Sequence, residues 1–224
     1  MATGSRKKEE QKGPKPYEVI IGAVLSIFLG VLLAAVYLVV QPVEEVDELP
    51  PEADRDRRTV YFVEGRTGSV ADFNWRSKVT SFEAGASGMI ELVEQELNQW
   101  AGSAFPDLED TEAEGMLNLI PRSVNFRIRG GALQIASNME FNVFGVGGEV
   151  LAQTRGTFVP RNGRYVFEAE SLSLGGFRVP HDAVMDLILE RFFAALDPGE
   201  EVTESWSRLT RAEVRDDALI LELP

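Results

Sequence analysis

Few residues in this chain could carry reaction chemistry. His181 is the only histidine and there is no cysteine, so thiol nucleophiles and thiolate metal sites are excluded, and a histidine triad or multi-histidine metal centre has little to be built from. Near the start of a helical pattern, His181 reads as a surface or capping residue. The acids of EDTEAEG (109–115) lack the alternating Asp/Asn ligands and central glycine of a calcium loop. Gly145, Gly147 and Gly148 precede a strand and not a helix, so they mark a turn and not a phosphate loop. Glu168 and Glu170 fall on one strand face, the minimum for acid/base work, yet alternation on a wet face accounts for them more simply. No enzyme, cofactor or metal is expected. Arg191, inside an apolar helical arc, either holds an anionic head group at a cavity mouth or snorkels to solvent.

What would position such residues begins with a membrane segment. Residues 19–40 carry no charge and span roughly 33 Å as a helix, against a hydrocarbon core of about 30 Å. A buried core helix is seldom apolar all round. A cleaved signal peptide is the remaining alternative, but the run exits through Val39-Val40-Gln41-Pro42 and not an A-x-A-like site. Residues 1–18, a basic tail, carry +2 and residues 41–56 carry −6, so the positive-inside rule places the N-terminus in the cytoplasm and the rest outside. Gly22, Ser26, Gly30 and Ala34 form a strip that either supports a homodimer or reflects ordinary membrane-helix composition. The absent cysteines and the lack of an Asn-x-Ser/Thr acceptor suit a bacterial inner (cytoplasmic) membrane protein.

Residues 41–58 combine prolines and acids and read as an extended, solvated linker. Residues 59–224 then form an extracytoplasmic α+β domain. TVYFVEG (59–65) reads as a first strand, Ser69–Phe82 is ambiguous with Trp75 as anchor, Met89–Leu92 reads as a strand, and VEQELNQW (93–100) as a helix. From Ser123 to Gly176 four alternating segments, separated by Gly130-Gly131, Gly145 with Gly147-Gly148, and Asn162-Gly163, predict an antiparallel meander. Strands this long should curve. VPHDAVMDLILERFFAAL (179–196) predicts the amphipathic helix they pack around. Its apolar arc runs through Val184, Met185, Leu187, Ile188, Phe192 and Leu196, with Phe193 misplaced among the acids. LTRAEV and ALILELP return as strand, bent at Asp216-Asp217.

The N-terminal membrane helix, VEQELNQW, the long strands followed by LGGFRVPHDAVMDLILERF, and a terminal strand together resemble YpmS-like and LmeA-like anchored bacterial proteins, and through them the tubular lipid-binding (TULIP) superfamily. That resemblance implies a curved sheet wrapped on a helix, with an apolar cavity suited to an acyl chain. The acidic stretch 102–115 departs from the family layout. Two functions follow. In one, an apolar groove lined by Phe126, Ile135, Phe141, Val184, Ile188 and Phe192 takes a lipid or other amphiphile. In the other, a closed core makes the domain a structural module that engages another envelope protein. The formal charge of −14 argues against nucleic acid as a partner.

Overall fold

The computed structural model describes residues 15–56, 58–68, 74–104, 117–143, 146–180, 183–196 and 199–224. It divides into two units, residues 1–37 and 38–224. Most of α1 (Pro16–Val39) lies in the first, and its stretch Tyr17–Val39 is long and apolar enough to cross a membrane. The 24 residues of α1 extend about 36 Å at 1.5 Å per residue.

The second unit is mixed α+β and mostly antiparallel. After β1 (Glu44–Glu45) and β2 (Tyr61–Phe62) come α2 (Trp75–Glu83), β3 (Gly88–Val93) and α3 (Glu94–Ala104). The meander follows as β4 (Leu117–Arg129), β5 (Ala132–Val143), β6 (Val146–Arg161), β7 (Arg164–Leu174) and β8 (Phe177–Arg178). The chain closes with α4 (Ala183–Leu196), α5 (Glu200–Ser207), β9 (Arg211–Arg215) and β10 (Ala218–Leu223). Strands β4 to β8 form one five-stranded sheet in sequential order. The meander's turns fall where glycine and asparagine allow positive φ. Gly130-Gly131 (61° and 72°) joins β4 to β5, and Asn162-Gly163 (53° and 77°) joins β6 to β7, as two-residue hairpins of this hand require. Gly147 and Gly148 are not turn residues: they pair with Asn142 and Phe141 inside β6.

The C-terminal segments return as strand, and β10 lies between β3 and β9 in a separate three-stranded sheet. The two sheets share one hydrophobic cluster, with Leu133, Ile135 and Met139 from one and Leu92, Leu219 and Leu221 from the other. The ambiguous stretch contains α2, which buries Trp75, Val79 and Phe82 at i, i+4 and i+7. TVYFVEG contributes only Tyr61 and Phe62, paired in parallel with Glu44 and Glu45.

Residues 41–58 are therefore not a free tether. The Glu44 N–H donates to Val60 O (3.0 Å) and the Val46 N–H to Phe62 O (2.9 Å). Val43, Val46 and Leu49 are half-buried at every third position between exposed acids, a period hidden by the segment's charge. The contacts begin earlier still. The Gly176 N–H donates to Gln41 O (3.2 Å). At Gly175, φ is +53° and a Cβ would meet Val39 O at 2.0 Å. Residues from Leu38 onward belong to the compact unit that holds the sheets.

Candidate apolar binding site

The site is built on α3, whose polar side chains hold it to the sheet. β4 is an edge strand, so its outer backbone groups need partners. Asn98 supplies three hydrogen bonds: its Oδ1 accepts from the Phe126 N–H (2.7 Å), and its Nδ2 donates to Phe126 O (2.8 Å) and Arg66 O (3.1 Å). Glu94 accepts from the Ile128 N–H (2.8 Å) and the Arg66 N–H (2.6 Å). Glu96 accepts from the Val93 N–H (3.1 Å), as a residue at the third helical position does in a capping box. It also pairs with Lys78 at 2.6 Å. The polar residues of VEQELNQW thereby satisfy a sheet edge while Leu97 and Trp100 face an apolar cavity.

That cavity has a volume of about 620 Å³. One side is sheet, with Phe126, Leu133, Ile135, Phe158 and Phe167, and the other is helix, with Trp100, Phe193, Leu196, Val202 and Trp206. Aromatic rings meet around it: Phe158 lies edge-on to Phe167 (5.5 Å) and tilted to Trp206 (5.0 Å), Phe167 lies edge-on to Phe193 (5.6 Å), and Trp100 stacks on Phe126 (6.2 Å). The Trp206 indole N–H donates to Tyr165 O (2.9 Å), and the Tyr165 hydroxyl to Thr210 O (3.1 Å). With their polar ends satisfied, both rings present apolar surface. Among the described residues, Glu190 is the one charged residue in the lining.

Of the residues expected to form a groove, Phe126 and Ile135 line this cavity. Phe192 is 2% exposed and belongs to the core, and Ile188 packs with Met185 and Leu189 in a second cluster. The side chains of Phe141 and Val184 lie outside the described residues. Arg191 is exposed and is not among the described lining residues. Helix α4 buries Met185, Leu189, Phe192 and Leu196, a line that turns Leu187 and Arg191 to solvent and brings Phe193 and Glu190 to the cavity. Trp100, Phe158, Phe167 and Trp206 were missed; Phe193, conspicuous as an aromatic among acids, was the available signal.

Compared with known proteins, the chain matches no family model, no curated protein and no solved structure.

The other candidates have separate settings. Glu168 pairs with Arg161 (3.3 Å) and Glu170 with Arg155 (2.9 Å), so each carboxylate has its own arginine. Among the described residues no group of His, Asp and Glu is placed to hold a metal ion. His181, the acids 109–115 and Gly145 lie outside the described residues. In α1 the Ser26 hydroxyl donates to Gly22 O (2.8 Å), and a Cβ at Gly22 or Gly30 would meet nothing.

Proposed function

We propose that this chain is an uncleaved single-pass protein of a bacterial cytoplasmic membrane, whose extracytoplasmic domain binds a single-chain lipid or similar amphiphile in the aromatic-lined cavity. The observation that carries this reading is the cavity itself: about 620 Å³, bounded by both the sheet and three helices and lined almost wholly by apolar side chains. Ligand sites are concave, mostly apolar and roughly 300–1,000 Å³ in size. A structural module with a closed core has no use for that volume. The resemblance to YpmS-like and LmeA-like proteins points the same way. Glu190 at the lining makes a hydroxylated or amine-bearing polar end a better fit than a carboxylate or phosphate.

The test uses the native tryptophans. Trp100 and Trp206 line the cavity, Trp75 does not, and the chain has 3 tryptophans in all, none in α1. Full-length protein in nanodiscs is titrated with alkyl alcohols and amines brominated at the tail. Emission should be quenched saturably, with affinity rising about fourfold per added methylene, the equivalent of about 0.8 kcal/mol, until the cavity is full. Quenching that is linear in concentration, or indifferent to chain length, would remove the lipid-binding reading.

Topology rests on the basic tail and acidic exit. A reporter fused after Pro224 should be active only when it requires export. Activity of a cytoplasm-dependent reporter, or a mature chain beginning near Gln41, would contradict the anchor.

A further inference from the structure

A second cavity, of about 460 Å³, is lined by four arginines from three parts of the chain: Arg55 from the acidic segment, Arg127 and Arg129 from β4, and Arg155 from β6. Leu49, Gly130, Ala132 and Gln134 complete the lining, which among the described residues contains no carboxylate. In a protein with a formal charge of −14, four guanidinium groups around one space run against the average field. Their identified bonds occupy a minority of their donors. Arg55 Nε donates to Pro50 O (2.6 Å), and Arg155 donates to Glu170 (2.9 Å) and to Arg129 O (3.5 Å).

The neighbouring acids, Asp47, Glu48, Glu64 and Glu94, line an adjoining cavity that shares Arg127 and Arg129. Glu94 is taken up by the Arg66 and Ile128 amides. Burial, and after it the charge of Arg129, holds the Arg127 guanidinium below its ordinary value despite Glu94 and Glu48.

We propose that the trough formed by Arg55, Arg127, Arg129 and Arg155 is an oxyanion site for a phosphoryl group, either free or on an anionic lipid. A fork of planar donors suits a doubly charged tetrahedral anion, which can accept from several guanidiniums at once. Because Arg55 belongs to residues 41–58 and the other three to the sheet, an anion here also ties the acidic segment across the sheet face. The site is separate from the aromatic cavity and stands without it.

The experiment follows thermal unfolding of the full-length chain in nanodiscs at constant ionic strength. In phosphatidylcholine discs, inorganic phosphate is titrated against chloride; in parallel, discs containing phosphatidic acid are compared with phosphatidylcholine alone. Saturable stabilisation by phosphate supports a free phosphoryl ligand, and stabilisation by phosphatidic acid alone supports a lipid head group. In both cases the double variant Arg129→Gln/Arg155→Gln should weaken the effect by about tenfold or more while melting like wild type in chloride. If that variant melts early, Arg129→Gln alone serves. Val202→Phe, which fills the aromatic cavity, should leave the anion response intact. No stabilisation in either arm, or an equal one in wild type and arginine variants, overturns the proposal.

Discussion

Replacing Asn98 by Leu should lower the domain's stability by about 3 kcal/mol or more, because it removes one side chain and leaves three buried or half-buried backbone groups unpaired. Asn98 is 7% exposed and bonds the Phe126 N–H, Phe126 O and Arg66 O. Each group stranded away from water costs roughly 1–3 kcal/mol. Leu has as many side-chain heavy atoms as Asn, so the substitution leaves no cavity. For a domain of this size the midpoint should fall by about 6–12 °C, at roughly 2–4 °C per kcal/mol. Asn98→Asp should be worse, since it turns a donor facing two carbonyls into an acceptor. Thermal unfolding monitored by tryptophan emission measures both. A midpoint within a degree or two of wild type for either variant would mean that α3 does not hold the edge of β4.

Gly156→Ala should be still more damaging, although it adds a single methyl group. An ideal Cβ at Gly156 would lie 2.1 Å from Glu168 O and 2.9 Å from the Ala169 Cα. Both are backbone atoms of the neighbouring strand, so no rotamer relieves the overlap. The position falls where the β6–β7 register shifts, between Arg155 and Gly156. Glu170 is left as the extra residue of a bulge there. Accommodating alanine requires parting β6 from β7, which lies in the middle of the sheet. The expected outcome is failure to accumulate as folded protein, or a midpoint lowered well beyond that of Asn98→Leu. A normally folded Gly156→Ala protein would contradict the pairing.

These two sites show what the sequence made legible and what it hid. The meander was readable because Val124, Phe126 and Ile128, then Leu133 and Ile135, keep strict alternation between glycine turns. The alternation then slips: Ala169 and Leu172 are both buried, with Glu170 and Ser171 exposed between them. That three-residue step is the written trace of the bulge. The partner of β10 was not readable, since Leu219, Leu221 and Leu223 suit any sheet. Pairing with β3 is a long-range choice made by packing. In residues 41–58 the charge concealed Val43, Val46 and Leu49. In α4 a broad apolar arc left its rotation open, and the arc settled toward Leu189, placing Phe193 and not Ile188 at the cavity. The aromatic lining was the least accessible part. Trp100, Phe158 and Trp206 come from α3, β6 and α5, and only the assembled fold brings them within ring contact of one another or of a shared space.

The central claim is that the aromatic-lined space takes up an amphiphile, and the most direct measurement compares wild type with Val202→Phe in the brominated-chain titration. Val202 lies on α5, is 9% exposed and borders the cavity. If the space is available, the larger ring enters it without the roughly 1–3 kcal/mol that overpacking a filled core costs. Val202→Phe should melt at or above the wild-type temperature and lose saturable quenching of Trp100 and Trp206. A melting point lowered by overpacking, or quenching that persists unchanged in the filled variant, would contradict it.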